Sequence, residues 1–226
     1  MNCVSAFRSC RTVAIIRLCT FYVLVSGCTT TVSLSPTAEG LAPSARLPLR
    51  IGLYYGVEFQ AYEHEDRYQG FVMPVGRASV TLFQEIFGAL FERTVPVLSR
   101  PPLPAQEPPI AAVIEPAIEV FDLGSGAVES SDFSWAEIGY RFTLWSPQGK
   151  VIASWTVTGT GSMGGDSSLG RRGSEARAAD LAMRNAAAQF LDTFRGVPEV
   201  RQWLRDLGVE GAPRGGFQLF LRSVGA

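Results

Sequence analysis

Residues 136–157 decide the fold, and their sequence is AEIGYRFTLWSPQGKVIASWTV. Apolar residues alternate with other residues on both sides of Ser-Pro-Gln-Gly at 146–149, which places proline second and glycine fourth in a turn. Alternation at period two predicts strands with one buried face, and the turn chemistry predicts that the two strands form a β-hairpin. The opposite face is predicted to be solvated and carries Glu137, Arg141, Thr143, Ser154, Thr156 and Thr158.

Helical spacing of apolar residues appears in three other segments. The first predicts an amphipathic helix over 77–93. An alanine-rich segment predicts a second helix over 174–194, with Ser174 as its N-cap. Pro198 then opens a short C-terminal helix. Five prolines between 100 and 109 predict a stiff surface loop inside the same domain.

Two further segments are typical of strands. Residues 47–55 alternate at period two, and a β-branched run over 111–121 is interrupted by Pro116, which should lie at a bulge or an edge. The order of elements predicts an α+β domain with an antiparallel or mixed sheet that contains a long hairpin. Two main helices should pack on one face, with a short C-terminal helix. A single domain is predicted over 47–208, followed by a glycine-rich tail over 209–226.

The amino-terminal segment has the features of a bacterial export signal. Residues 1–27 contain three arginines and no acidic residue, and their apolar run lies at 18–25. Arg17 interrupts the longer apolar stretch, which is shorter than the roughly 20 residues that a transmembrane helix needs. A cleavable signal peptide over 1–27 is therefore predicted in preference to a membrane span.

The sequence Val25-Ser26-Gly27-Cys28 resembles the lipobox of bacterial lipoproteins. The resemblance implies that Cys28 is acylated and becomes the first residue of the mature protein; the alternative is an ordinary secreted protein. Thr29 stands where aspartate would retain an enteric lipoprotein at the inner membrane, so outer-membrane sorting towards the periplasm is implied. The three other cysteines lie in the leader, which leaves the mature chain without an internal disulfide or a thiolate metal site.

The segment that follows the lipobox is predicted to be a flexible tether. Residues 28–46 are small and polar and have no apolar period. A coil of nearly 20 residues would hold the domain roughly 25 Å from the lipid.

The charge balance excludes some partners. The chain has 20 basic and 21 acidic residues, and removal of the three leader arginines leaves 17 basic residues and a net charge of −4. Nucleic acid is therefore not a predicted partner, because its affinity comes from clustered Lys and Arg at the phosphates. No cofactor is predicted.

The order of elements over 49–194 resembles that of the YajG-type lipoproteins. It is also similar to the small sheet-and-helix domains of curli-secretion lipoproteins and of the TolB amino-terminal region. The strand segments Leu49–Leu53 and Val113–Pro116 belong to this likeness, together with the lipobox, the hairpin and the alanine-rich helix. The resemblance implies an accessory or assembly role facing the periplasm, without catalytic residues.

Several motifs suggest chemistry, but each has a plainer interpretation. Residues 159–164 match the dinucleotide pattern GxGxxG, yet the preceding strand belongs to an antiparallel hairpin, so a loop at the end of the sheet is favoured. His64, the one histidine, could bind a metal with Glu63 or Asp66, but a solvated acidic loop is favoured.

Two charged pairs in the sequence also have both a chemical and a plainer interpretation. Glu115 with Glu119 could act as paired carboxylates, although outward strand charges are the favoured interpretation. Arg171 with Arg172 could meet lipid headgroups or an acidic partner, against a solvated loop.

Two functional hypotheses follow, and an enzyme is not expected. The first is a non-catalytic scaffold or assembly accessory, anchored to the membrane by its lipid, which binds an envelope protein or a second copy of itself. Its predicted contact residues are Thr143, Trp145, Ile152, Thr156 and Thr158. The alternative is a binding module for a lipid or a cell-wall glycan. Its ligand would be held by Tyr54, Tyr55, Trp135, Trp145 and Trp155.

Overall fold

The computed structural model describes residues 30–43, 45–67, 69–105, 107–128, 131–164 and 170–209. The strands are β1 (Thr30–Thr31), β2 (Leu47–Leu53), β3 (His64–Asp66), β4 (Phe71–Met73), β5 (Phe91–Pro96), β6 (Ala112–Val128), β7 (Ser131–Trp145) and β8 (Val151–Gly164). The helices are α1 (Val57–Gln60), α2 (Val75–Leu90), α3 (Gly170–Thr193) and α4 (Pro198–Asp206), with a 3₁₀ turn over Phe194–Gly196 between the last two. None of the described helices is long and apolar enough to span a membrane.

The strands form a mixed sheet of five and a smaller sheet of three. The larger sheet has the order β5-β2-β6-β7-β8, in which β2 is parallel to both neighbours and β6, β7 and β8 are antiparallel. The smaller sheet has the order β1-β4-β3. The predicted α+β class with a mixed sheet is confirmed.

The hairpin forms where its alternation places it. Tyr140 pairs with Val157 and Phe142 with Trp155, so both pairs face the same side. In the turn, the backbone amide of Gly149 donates to the carbonyl of Ser146 over 3.0 Å, and Gly149 has a φ of +93°. Glycine adopts this positive φ readily, whereas most other residues do not, which explains why glycine occupies the fourth position of the turn.

The core lies between the large sheet and the helices, which all pack on one face. Helix α3 crosses β7 and β8, and α2 packs beside α3. The centre of this core is an aromatic cluster of Phe83, Phe87, Tyr140, Phe142, Trp155, Phe190 and Phe194. The hydroxyl of Tyr140 lies 2.7 Å from that of Ser79, which itself donates to the carbonyl of Val75, so this buried polar pair is satisfied.

The helix ends differ from those predicted by a few residues. Helix α2 ends at Leu90, because Phe91 is already extended and begins β5 beside β2. Ser174 is not an N-cap: helix α3 already includes Gly170, and the Ser174 hydroxyl donates to the Gly170 carbonyl over 3.3 Å. Ser174 is buried inside the helix, where its small side chain fits against the rest of the domain.

Pro116 lies inside a long central strand. The β2 ladder on β6 ends at Ile114, whose carbonyl accepts the amide of Tyr54, and Pro116 stands two residues beyond that point while it pairs with Phe142 of β7. Its missing amide therefore breaks no hydrogen bond to β2. A bulge follows between Ile118 and Val120.

The glycines of the GxGxxG pattern do not form a loop. All six residues of 159–164 belong to β8. A Cβ atom on Gly159 would collide with the carbonyl oxygen of Ala182, and one on Gly161 would collide with that of Ala178. The glycines are thus explained by close contact between sheet and helix, and the favoured interpretation of a loop is wrong.

The predicted flexible tether over 28–46 needs correction at residues 30–43, which lie against the domain. We call residues 30–43 the strap. The amide of Thr30 donates to Gly70 and that of Val32 to Val72, over 3.1 and 2.9 Å. Pro36 is buried, and three apolar strap residues pack against the core: Val32, Leu34 and Leu41. The apolar residues of the strap are too few to show a period in the sequence. They nevertheless pack against a surface that β4 and α3 form.

Candidate functional site

The large sheet leaves one face open. Helices cover the face that carries Tyr140 and Phe142, whereas cross-strand neighbours on the opposite face are mostly exposed. We call this opposite side the outer face. Among the described residues it includes Glu119, Val120, Asp122, Trp135, Glu137, Arg141, Ser154, Thr156, Thr158, Thr160 and Ser162.

A row of hydroxyl groups runs along β8 on the outer face. Every second residue from Ser154 to Ser162 is Ser or Thr, and all five are exposed. Because alternate residues of a strand point to the same side, neighbouring hydroxyls are roughly 7 Å apart. The row is uncharged and offers donors and acceptors at regular spacing.

One charged group organises the middle of the outer face. The carboxylate of Glu119 accepts a hydrogen bond from the Thr156 hydroxyl over 3.1 Å and forms an ion pair of 3.1 Å with Arg141. Val120 lies beside them with 44% of its surface exposed. The middle of the outer face therefore combines the half-exposed aliphatic side chain of Val120 with the ion pair between Glu119 and Arg141.

The proline-rich segment covers one end of the outer face. Gly52 leaves space on β2 where Val97, Ile110 and Val113 pack, and these residues lie outside the main core. The loop is held at a second point, since the amide of Leu103 donates to the Pro147 carbonyl over 2.9 Å. The predicted stiff excursion is therefore a folded cap over β2.

The two carboxylates that the sequence suggests as a pair, Glu115 and Glu119, lie in different surroundings. Glu115 is 7% exposed and receives two hydrogen bonds, one from Arg100 over 2.7 Å and one from the Trp145 indole over 2.9 Å. Glu119 lies beyond it in the open part of the strand and binds Arg141 and Thr156. Each carboxylate has its own partners, so the two form no acid–base pair with each other.

The structure disperses the predicted contact residues. Thr143 and Trp145 lie half-buried near the proline-rich cap, and Ile152 packs partly against the core. Ile152 differs from expectation because a bulge between Leu144 and Trp145 changes the register at the start of β8. Thr156 and Thr158 are exposed on the outer face as predicted.

The free edge of β8 is partly protected by α3. The side-chain oxygen of Gln189 accepts the amide of Thr158 over 2.6 Å, and the Asn185 amide donates to the Thr160 carbonyl over 2.7 Å. These bonds occupy backbone groups that another strand would need. A partner at this position must therefore bind the side chains of the face in preference to the edge.

The sequence does not predict Val120 on the outer face, nor does it predict that Glu119, Trp135 and Arg141 share this face with it. Glu119 and Val120 come from β6, Trp135 and Arg141 from β7. Arg141 is predicted on the solvated face, but its pairing with Glu119 depends on the register between β6 and β7. Period two alone could not supply that register, because the bulge at Ile118–Val120 shifts it.

The aromatic residues of the ligand hypothesis do not converge. Trp155 packs in the core against Phe142 and Phe190, and Tyr55 stacks on Phe59. Trp145 and Trp135 both reach the outer face, but ten residues of β7 place them roughly 33 Å apart. Trp135, which is 40% exposed, lines a shallow cleft of about 340 Å³ with Glu137, Thr160, Ser162, Leu181 and Asn185.

The acidic segment around His64 is bound into local contacts. The His64 ring lies 5.1 Å from that of Phe121, Glu63 pairs with Arg77, and Asp66 accepts bonds from Gln69. No cluster of three or more potential metal ligands occurs in the described ranges. Cys28 and the signal peptide lie outside the described residues, as does the tail beyond Val209.

Comparisons with known proteins show only remote likeness. No family model and no curated protein matches the chain. A Xanthomonas campestris protein of the DUF330 family has 14% identity over 76% of this chain and 95% of its own, with a TM-score of 0.39. A minor lipoprotein from Acinetobacter baumannii has 10% identity over 66% and 92%, with a TM-score of 0.37. A homologue of the neuraminyllactose-binding hemagglutinin from Helicobacter pylori has 10% identity over 80% and 100%, with a TM-score of 0.41.

Identities and TM-scores of this size carry no function from those proteins to this chain. The resemblance to YajG-type, curli-secretion and TolB amino-terminal domains stays a prediction.

Proposed function

We propose that the protein is a lipid-anchored component of the cell envelope that binds a protein partner through the outer face and catalyses no reaction. Cys28 supplies the anchor, and the protein faces the periplasm from the outer membrane. The single observation that supports this role most strongly is the open sheet face, with helices on one side only. The partner is an envelope protein or a second copy of the chain.

The chemistry of the outer face favours a protein partner over solvent alone. A charged pair, Glu119 with Arg141, stands beside the exposed Val120 and the hydroxyl row. Protein interfaces combine apolar contacts with hydrogen bonds at the rim, and this face offers both. The buried side chains behind it hold the strands rigid, so the face needs little ordering when a partner binds.

A photo-crosslinking amino acid tests this proposal in living cells. Placed at Thr160 on the outer face, it should give a discrete adduct, whereas the same probe at Gln84 on the exposed side of α2 should not. Val120→Arg should reduce the Thr160 adduct at unchanged thermal stability, because an unpaired guanidinium would stand in the contact. Equal adducts from both probes, or an adduct indifferent to Val120→Arg, would contradict binding through this face.

Anchoring is tested separately at Cys28. Cys28→Ser should abolish labelling by a fatty-acid analogue and move the protein from the outer-membrane fraction to the soluble periplasm, because no acyl chain is attached. Cys19→Ser, inside the leader, is the matched control and should leave both properties unchanged. Labelling that persists in Cys28→Ser would overturn the proposed anchor.

A glycan ligand is the second candidate, and the cleft at Trp135 is the observation that favours it. An exposed indole beside Glu137 and the two hydroxyls of Thr160 and Ser162 offers stacking and hydrogen bonding to a sugar. Quenching of tryptophan fluorescence by cell-wall fragments that is lost in Trp135→Ala would favour this candidate over the first.

A further inference from the structure

The strap is attached to the domain along its whole length. At its start, Thr30 and Val32 add to β4 through backbone hydrogen bonds. Further on, the amide of Ser35 donates to Asp180 over 2.9 Å, and Arg184 donates to the carbonyl of Glu39 over 2.6 Å. The described part of the segment is therefore fixed relative to α3.

The covalent chain then limits where a lipid on Cys28 can be. Only Thr29 separates Cys28 from Thr30. An extended chain spans at most about 3.6 Å per residue, so the two Cα atoms lie within about 7 Å of each other. A free coil of nearly 20 residues would instead allow roughly 25 Å and any orientation. Because the link between Cys28 and the fixed strap is so short, a lipid on Cys28 would hold the end of the domain next to Thr30 at the bilayer.

That end can be followed from contact to contact. Thr30 binds the carbonyl of Gly70, and the neighbouring Gln69 carbonyl accepts a hydrogen bond from Arg172 over 2.8 Å. The adjacent Arg171 donates to the Ser125 hydroxyl over 2.9 Å, which ties the start of α3 to β6. We call this group the anchor end.

The anchor end presents guanidinium groups. Arg67 belongs to this end because it lies in the turn closed by the hydrogen bond from the Gly70 amide to the Asp66 carbonyl over 2.8 Å. Its side chain is 83% exposed, and Arg171 and Arg172 are also exposed. Three carboxylates lie near these groups: Glu65 pairs with Arg67, the buried Glu175 pairs with Arg171, and Asp66 accepts hydrogen bonds from Gln69. Guanidinium groups match the geometry of phosphate oxygens, which are the outermost charged groups of a phospholipid surface.

We propose that the anchor end rests on the phospholipid headgroups, so that the long strands rise away from the bilayer. This inference depends on the proposed acylation of Cys28. Twelve residues of β6 separate Ser125 from Val113, which pairs with Trp145 beside the hairpin turn. At about 3.4 Å per residue, the turn and the proline-rich cap stand roughly 40 Å further out. The outer face is then presented to the periplasm along its length.

Spin-label accessibility tests the orientation, because the mature chain has no cysteine other than Cys28. Nitroxides at Arg67→Cys and at Gln148→Cys, in the exposed hairpin turn, are compared on acylated protein in phosphatidylethanolamine–phosphatidylglycerol vesicles. A nickel-chelating headgroup lipid should broaden the spectrum at 67 and leave that at 148 unchanged. Twenty glycine and serine residues inserted after Thr29 give the matched control, in which the difference between the two positions should be lost.

The outcomes separate the two proposals. Equal broadening at 67 and 148 in acylated protein with its natural link would overturn the orientation and leave anchoring intact. Broadening at 148 alone would reverse the orientation and also overturn the inference. A mature protein that carries no acyl group would overturn anchoring and orientation together, and mass spectrometry of the amino-terminal peptide distinguishes that case before any label is attached.

Discussion

Asp180 connects α3 to the strap, because its carboxyl group accepts the hydrogen bond from the Ser35 amide. Its partial burial makes ionisation of this carboxyl group less favourable. Burial raises the pKa of this carboxyl from 3.8 to about 6, while the hydrogen bond from the Ser35 amide and the charge of Arg177 act in the opposite direction. Burial exceeds both because a carboxylate in a partly dry contact loses more hydration than one hydrogen bond returns. Relative to the unfolded chain, the folded state therefore favours the neutral acid, and the carboxylate predominates only above about pH 6.

This pKa predicts how stability changes with pH. Between about pH 4 and pH 6 the folded state holds the Asp180 proton more often than the unfolded state, so its contribution to stability falls as pH rises. Asp180→Asn keeps an oxygen for the Ser35 amide and cannot ionise. The stability of the variant relative to the natural protein should thus increase from pH 4 to pH 7 in urea unfolding.

Asp192→Asn is the control for that experiment, because it removes one negative charge from an exposed position of the same helix. A stability of Asp180→Asn relative to the natural protein that stays constant from pH 4 to pH 7, or that falls with rising pH, would contradict the assignment.

The contact between β8 and α3 shows how small residues set the distance between a strand and a helix. Gly159 and Gly161 face a helix side made of Ala178, Ala182 and Ala186, so that backbone approaches backbone. Nearby, Trp155 and Phe190 fill the same interface with large rings. Small residues at one end and large ones at the other fix the angle at which α3 crosses the sheet.

Adding a single methyl group should reveal this contact. Gly159→Ala places its Cβ against the Ala182 carbonyl and the Ala186 amide, both of them backbone atoms that cannot rotate away. Overpacking typically costs about 1–3 kcal/mol, and a backbone clash belongs at the upper end of that range or above it. Urea unfolding measures the loss of unfolding free energy.

Gly164→Ala lies in the same strand and has no heavy atom within 4 Å of its new Cβ, so it should change stability by less than about 0.5 kcal/mol. Equal effects at 159 and 164 would mean that the helix is not held against the strand at this point.

The hairpin and both long helices follow from local periodicity, which is why the sequence predicts them. The alternation of Tyr140, Phe142 and Leu144 needs no knowledge of distant residues. The outer-face centre is different, because Glu119 meets Arg141 and Thr156 only after a bulge has shifted the register. Side-chain spacing contains no information about that bulge or about the strap, whose few apolar residues fit a surface assembled elsewhere.

The role of the glycines at 159 and 161 could not be predicted from the sequence either. Glycine permits both a turn and a close approach between backbones, and the sequence alone does not separate the two uses. The alternation of Thr156, Thr158 and Thr160 continues through the glycines, and it indicates a strand when the threonines are weighed together with them.

At the scale of the whole molecule, the strap makes the two faces of the domain unequal. It runs beside α3 from Gly70 towards Arg195, which donates a hydrogen bond to the carbonyl of Ala45 just before β2 begins. Strap and helices thus cover one side of the sheet, while the outer face stays exposed beyond the proline-rich cap. The same segment that carries the proposed anchor therefore belongs to the folded domain.

A truncation tests whether the strap stabilises the domain. A chain that begins at Ala45 loses buried Pro36 and the half-buried Val32, Leu34 and Leu41, and it uncovers the surface on which they pack. Partial burial of four apolar side chains contributes on the order of 3 kcal/mol, since complete burial of each would contribute about 1.5–3 kcal/mol. Urea unfolding should show a loss of this size relative to a chain that begins at Thr30.

Leu34→Ser in the chain that begins at Thr30 distinguishes the effect of apolar packing on stability from the effect of a shorter chain. It keeps all strap residues and removes one apolar contact, so it should reproduce part of the loss, about 1 kcal/mol. If the chain from Ala45 is as stable as the chain from Thr30, the strap adds nothing to the fold and behaves as a tether. A domain held by a tether has no fixed end towards the bilayer, so this result would also remove the basis for the proposed orientation.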